Sequence, residues 1–228
     1  SGEGGMFVTD DEELWQKARS LWSFGETRTP VEERDYHAYA LGWMYRNNDL
    51  TAAFGRAQLT RLDTYLEWQA ANGAALTAQL QGAPHLILPT VPVGHTPTWY
   101  NYVLRFDFGT LDLPADNDAA RNVLVRALQA EGLPTVVWQR FILPAMTVFQ
   151  AKNAYGHGAP WSSPHAQPVD YALDQYPVAQ RHCDRHACLV YPLRYPNEPA
   201  AMELIAEAIH KVMSNAQAIS SIAAGSLG

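Results

Sequence analysis

Cysteine is nearly absent from this chain. Cys183 and Cys188 are its only two, and two thiols cannot make the disulfide framework of a small secreted domain. Apolar runs are short as well. None approaches the roughly 20 residues that carry a helix across a bilayer, and no signal-peptide pattern opens the chain, so no membrane partner is expected and the cytoplasm is the default compartment. Positive charge is the third shortage. Sixteen Lys and Arg stand against 23 Asp and Glu, and a net charge of -7 without a basic stripe gives a nucleic-acid role no electrostatic support. Phosphate-loop signatures are missing too: neither G-x-G-x-x-G nor G-x-x-x-x-G-K-S/T occurs, and no internal repeat is visible. What is present is apolar and aromatic. Hydrophobic residues make up 47% and charged residues 17% of 228, with seven Trp, so the chain can bury a substantial core and its body is not disordered. That length suits one large domain or a domain and a half.

Along the chain, a glycine-dense turn, "SGEGG", precedes a short apolar stretch, Met6–Thr9, that reads as a strand. Thr9 or Asp10 caps a helix carrying Asp11, Glu12 and Glu13 in its first turn, where the helix dipole favours anions; it runs to about Ser23 and Gly25 ends it. Residues 26–40, with Pro30, read as a loop. Asn48 or Asp49 then caps a long helix to about Gly82, bending at Gly73, with Ala52, Gly55, Leu59, Leu62 and Leu66 on one face. "HLILP" and the alternating aromatic "TWYNYVLRFDF" read as strands. Asp116 caps a helix to about Ala130, and "TVVW" is a further strand. Residues 139–172 lack a period and are rich in Pro, Gly and aromatics, as in an ordered functional loop or a wrap across a neighbour. A helix near Val169–Arg181, the strand "CLVYPL" and a helix at Glu198–Met213 follow, and the small residues from 218 onward read as a frayed tail. The alternation predicts an α+β layer.

Four segments carry candidate chemistry. "HCDRHAC" holds His182, Cys183, His186 and Cys188, zinc ligands by type, yet it lacks CxxC spacing and leads into a strand, so core packing plus surface histidines is expected and no metal site. "YGHGAPW" sets His157 between two glycines beside Trp161; the ring can orient a substrate hydroxyl or carboxylate, or simply sit in a tight exposed turn. "YRNND" places Arg46 and Asn47 at a helix start, where a guanidinium, amides and backbone N–H groups suit a phosphate, although ordinary capping also explains the asparagines. The glycines of "SGEGG" match a phosphate nest by composition alone.

Taken together, "SGEGGMFVTDDEELWQKARSLWSFG" and "LGWMYRNNDLTAAFGRAQLTRLD" resemble the DegT/DnrJ/EryC1/StrS type of pyridoxal-phosphate sugar aminotransferase. Tyr45, Arg46, Asp49, Leu50, Ala52, Ala53, Gln58, Leu59, Leu62 and Asp63 fall at the family's motif places. "WYNYVLRFD", "EGLPTVVWQ" and "YPVAQRHCDRHACLVYPLRYP" resemble its later segments in order, so the likeness spans nearly the whole chain. The resemblance implies an α/β protein: the α+β C-terminal small domain of a fold-type I aminotransferase, with the last strand–helix piece of the large domain. Residues 1–46 would be that piece and a loop, 47–82 a connecting helix, 83–217 the small domain and 218–228 the tail. In the family the glycine turn follows the lysine that forms the Schiff base, so that lysine is expected upstream of Ser1; Lys17, Lys152 and Lys211 match nothing catalytic.

The resemblance further implies pyridoxal 5'-phosphate as cofactor, a keto sugar or keto cyclitol as acceptor and glutamate or glutamine as donor. It implies a homodimer with shared active sites, in which Tyr45, Arg46 and Asn47 approach the cofactor phosphate. The local pattern, one polar ring between two glycines with a flat indole nearby, makes Tyr155, His157 and Trp161 the expected substrate-binding residues. Met44 stands where the family usually has Asn, and a thioether scarcely hydrogen-bonds phosphate. Two other readings stay open: a non-catalytic partner subunit or scaffold of the same fold, and an unrelated α+β binding module.

Overall fold

A computed structural model describes residues 2–27, 36–113 and 118–225, with side chains to 221. The chain divides into two compact units, residues 1–63 and 64–228. The expected cap at Asp116 and the loop proline Pro30 lie outside the described residues.

In the first unit, helix α1 (Glu12–Trp22) is capped by Asp11, whose Oδ1 accepts the Leu14 N–H at 3.0 Å, one residue later than expected. Thr9 instead accepts the Asp11 N–H through its hydroxyl, at 3.1 Å. Met6–Thr9 forms no strand, and Met6, Phe7 and Val8 are exposed. A strand exists only through a ladder partner, which apolar character alone cannot supply. Gly25 ends α1 with φ +77°, its N–H bonding Ser20 O at 2.8 Å. Residues 39–45 return across this end: Tyr39 N–H donates to Gly25 O, Phe24 N–H to Trp43 O and Tyr45 N–H to Trp22 O, at 2.9–3.0 Å. The crossing is possible only between glycines. A Cβ on Gly25 would lie 1.7 Å from Ala40 O, and one on Gly42 1.9 Å from the Gly25 nitrogen.

The single helix expected over 47–82 is two. Helix α2 (Asp49–Leu59) starts at Asn48, whose Oδ1 accepts the Thr51 N–H at 2.9 Å, and helix α3 spans Leu62–Gln79. The break has a local cause. The Thr60 hydroxyl donates to Ala57 O at 2.8 Å, the carbonyl that an unbroken helix would offer to the Arg61 N–H; that N–H turns to Gln58 O at 3.0 Å instead. Gly73 does not interrupt the helix. It lies within α3, where a Cβ would meet Trp99 Nε1 at 2.4 Å, so the glycine admits an indole that stacks in turn on Tyr102.

The second unit is built on an antiparallel sheet of four strands, β1 (Leu86–Ile87), β2 (Asn101–Phe106), β3 (Thr135–Val136) and β4 (His186–Val190), in the order β1-β2-β4-β3. Alternation in β2 turns Tyr102, Leu104 and Phe106 into the core. Helices α4 (Asp118–Ala130), α7 (Pro199–Ser214) and α8 (Ala216–Gly225) cover that face, contributing Leu124, Leu128, Met202, Ile209 and Met213. The frayed tail from residue 218 is thereby corrected: α8 packs against α4, with Ala216 and Ser220 buried, because small side chains let the two helices approach. The loop after β3 carries a four-residue helix, α5 (Thr147–Gln150). The helix expected near Val169–Arg181 is α6 (Pro177–Arg185), starting at a proline that suits a first helical turn.

Candidate functional site

The two candidate anion-binding motifs, the glycine turn and "YRNND", meet in the first unit. Gly4 lies beside Asn47, such that a Cβ there would be 3.7 Å from Asn47 Nδ2. Asn47 Oδ1 accepts the Asn48 N–H at 2.8 Å, so its NH2 is the end left to donate. The Arg46 guanidinium lies 5.5 Å from the centre of the Phe24 ring, and its Nε is buried without a hydrogen-bond partner. A buried, unsatisfied cationic donor is costly unless something accepts from it. The glycine turn, Asn47 and the start of α2 thus gather donors of the kind that suit a phosphate, and Arg46, next in sequence, carries an Nε that lacks an acceptor. Tyr45 is exposed and stacks on Trp43 at 6.3 Å between ring centroids. Met44 is also exposed, its backbone bridged to Ser23.

All three lysines have partners of their own. Lys17 pairs with Glu13 at 2.5 Å, Lys152 donates to Val169 O at 2.6 Å, and Lys211 pairs with Glu131 at 2.8 Å.

In the second unit the aperiodic stretch 139–172 is ordered by its own bonds. Gln150 Nε2 reaches Pro144 O and Tyr171 O, and Phe149, Trp161 and Tyr171 form an aromatic cluster in which Trp161 Nε1 donates to the Tyr171 hydroxyl at 3.0 Å. Phe149 and Tyr171 line a cavity of about 770 Å³, with Trp138, Phe141 and Leu143 among its other walls; Trp161 stands behind them. His157 is exposed at φ +51° between Gly156 and Gly158, and Tyr155 is exposed beside it. The cavity walls come from β3's exit, this loop and α6, a long-range convergence that the local glycine–histidine pattern did not signal.

The Cys/His segment straddles α6 and β4. Cys183, Cys188 and His186 are buried, as core packing requires, whereas His186 was expected at the surface. Its Nδ1–H donates to His182 O at 2.7 Å and its Nε2 accepts the Gln139 N–H at 3.1 Å, which fixes a neutral tautomer. Burial holds His186 below the ordinary histidine value despite the bond to His182 O. His182, stacked on it at 4.2 Å, is lowered by burial and by Arg105. Burial pushes the Cys188 thiol up to about 11, and burial with Asp184 nearby raises Cys183, so both stay protonated.

The four-stranded antiparallel sheet and its helices define the class first, a mixed α/β fold. A family model of the DegT/DnrJ/EryC1/StrS aminotransferases matches residues 1–166, and the chain belongs to that family. It is 34% identical over 113 residues to the spore coat polysaccharide biosynthesis protein SpsC of Bacillus subtilis (strain 168), covering 47% of this chain and 29% of that protein. It is 28% identical over 138 residues to a UDP-N-acetyl-3-dehydro-alpha-D-glucosamine 3-aminotransferase of Acidithiobacillus ferrooxidans, covering 60% of this chain and 32% of that protein. Among solved structures, the apo form of the putative sugar aminotransferase Spr1654 from Streptococcus pneumoniae superposes with a TM-score of 0.71 at 18% identity, over 93% of this chain and 46% of that one. The chain therefore spans about a third of the curated relatives and just under half of the solved chain. The cofactor of the family is pyridoxal phosphate, and Spr1654 is known in PLP and PMP forms.

Proposed function

We propose that this chain is the C-terminal part of an aminotransferase that moves an amino group from glutamate or glutamine to a keto sugar or keto cyclitol. The observation that carries the reading is Gly4 beside Asn47, with the Nε of the adjacent Arg46 buried and lacking an acceptor, in a chain of this family. The cofactor supplies the electron sink that lets the amino group leave its donor. This chain's part is to grip the phosphate: Arg46 by a charge-assisted bond, Asn47 through its NH2, and Tyr45 by closing the side of the phosphate site. Tyr155, His157 and Trp161 serve the acceptor, His157 by a hydrogen bond and Trp161 by bracing the aromatic cluster behind the apolar cavity. Each of the three lysines has a partner of its own, which supports a Schiff-base lysine contributed by polypeptide outside this chain.

Sugars and cyclitols are both represented among the relatives. One is a 3-dehydro-glucosamine aminotransferase and another, from Streptomyces kanamyceticus, a putative aminotransferase for 3-amino-2,3-dideoxy-scyllo-inosose named with L-glutamine. The broad exposed apolar surface of the first unit supports burial in a homodimer with shared sites. No described helix is long and apolar enough to cross a membrane, in keeping with a proposed cytoplasmic enzyme.

The test uses the full-length parent. Arg46→Ala should weaken cofactor retention by about 1.5–3 kcal/mol, read by equilibrium dialysis against pyridoxal phosphate. Unchanged retention removes the phosphate role of Arg46. Failure of the unaltered parent to pass an amino group from glutamate or glutamine to any keto sugar or cyclitol removes the reaction.

A further inference from the structure

The β3–β4 ladder stops at Val136↔Cys188. Continued by two residues it would set Trp138 against His186, but the backbone leaves the sheet there and β4 side chains take its place as partners. The Trp138 backbone hydrogen-bonds the Cys188 thiol, and the Gln139 N–H donates to His186 Nε2 at 3.1 Å. An imidazole nitrogen thus stands where a sheet would offer a carbonyl, and unlike a carbonyl it titrates. The ring's other nitrogen offers no alternative seat for a proton, because its N–H is committed to His182 O at 2.7 Å. A proton on Nε2 sets donor against donor and takes the acceptor from the Gln139 N–H.

The same glutamine is held a second way. His182, stacked on His186 with ring centroids 4.2 Å apart, meets Gln139 Oε1 through its Nε2 at 3.3 Å. There a proton is no obstacle, since Nε2–H donates to an amide oxygen. The half-buried His182 therefore charges and keeps its bond, whereas the fully buried His186 charges only by breaking one. The charged groups around His186 oppose its protonation. α6 presents His182, β2 presents Arg105 directly opposite in register, and α4 presents Arg121, which donates to Cys183 O. On β4 itself Cys188 stays protonated. Asp184 of α6 accepts from Gln180 Nε2 at 2.8 Å, Arg185 turns to the Phe108 ring, and Arg140, after Gln139, is exposed. Burial first, then His182 and Arg121, hold His186 below the ordinary histidine value.

Gln139 and His182 both line the apolar cavity of about 770 Å³, Gln139 at the start of the loop 139–172 and His182 on the facing helix. Phe141, Leu143 and Phe149 of the loop form one wall, and Ala179 and Cys183 of α6 belong to the other. We propose that His186 positions this loop and is an acid-sensitive catch on the cavity: a proton taken from solvent at Nε2 releases the Gln139 N–H, and the root of the loop moves away from α6. The catch holds whatever the cavity binds, since it is built from residues of this chain alone.

Hydrogen exchange read by mass spectrometry on the full-length parent tests it, with the β2 peptide, residues 101–106, as internal control. After correction for the intrinsic rate, exchange over residues 139–150 should rise as the pH falls below ~6.5, by at most about tenfold per pH unit for one proton, while β2 keeps its protection. His186→Gln places an amide oxygen near the position of Nε2 and cannot titrate, so its loop should stay protected at about pH 5. His186→Leu offers no acceptor, and its loop should exchange at neutral pH as fast as acid makes it in the unaltered protein. His182→Gln should keep the acid step. An acid step that survives in His186→Gln, or a loop that opens only together with β2, overturns the proposal. Where a substitution also loosens β2, histidine nitrogen NMR of the unaltered protein decides. Protonation of His186 Nε2 in step with loop exchange supports the catch; protonation with the loop still protected overturns it.

Discussion

The two units use apolar residues in opposite ways. In residues 64–228 they are interior: Leu76, Leu104, Leu124, Met202 and Ile209 are wholly buried in one cluster shared by sheet and helices. In the first unit neither α1 nor α2 buries a single residue, and Leu50 and Met6 are each 85% exposed. Both sequences are helical and amphipathic, so pattern alone does not distinguish them. Amphipathicity records that a face is made to be covered; it does not say by what. The second unit covers its own faces, which makes it the self-sufficient part of the chain, while the first presents an apolar surface of the kind that marks an interface.

The comparison breaks most directly by truncating equivalent leucines. Leu104→Ala in β2 should cost about 2–5 kcal/mol, whereas Leu50→Ala in α2 should stay within about 0.5 kcal/mol, both read from urea midpoints. Similar costs at the two sites would show that the first unit hides a core of its own. A smaller effect is expected at Gly73, where a methyl meets the Trp99 indole at 2.4 Å with the Trp99–Tyr102 stack behind it. Gly73→Ala should lose about 1–3 kcal/mol and shift tryptophan fluorescence. A stabilised variant, gaining only helix propensity, would mean that the indole moves aside.

The smallest effect is acid sensitivity, and it sharpens the contrast by belonging to the second unit. His182 and His186 have folded values below the unfolded one of about 6.5. The unfolded chain therefore binds more protons as the pH falls through that value. The stability these rings contribute is complete above pH ~6.5 and declines below it towards their folded values, with a slope of at most about 1.4 kcal/mol per pH unit for each proton. His186→Asn should flatten the decline seen in thermal melts between neutral pH and about 5; an unchanged slope would assign it to other groups.

Much of the second unit was legible. The alternation of "NYVLRF" marks β2, Leu124 and Leu128 recur on one face of α4, and Gly132 with Pro134 separates that helix from β3. What escaped has identifiable causes. Nothing in "QLTRL" signals the break after Leu59, because the competitor is one threonine hydroxyl capturing one carbonyl. Met6–Thr9 has a strand's composition but no ladder partner among the described residues. The tail from 218 looked too small to order itself, and as far as Gly225 its order comes from packing against α4.

The site was legible in unequal parts. Arg46 and Asn47 suggest an anion site through their place before a helix, yet the approach of Gly4 to Asn47 brings together residues far apart in the chain. The neutrality of His186 was not legible at all, since it depends on a backbone N–H from Gln139.

The strand order carries a consequence for how this chain is made. β2 pairs with β4 from Asn101↔Val190 to Arg105↔His186, partners 81 to 89 residues apart. At about 5–20 residues per second, a ribosome takes on the order of 4–17 s to deliver β4 after β2 has emerged. Throughout that interval Tyr102, Leu104 and Phe106 wait with α4 as the only helix yet made of the three that will cover them. Closing so distant a pairing is slow by topology, so a nascent chain must shelter an aromatic strand until its centre-sheet neighbour arrives.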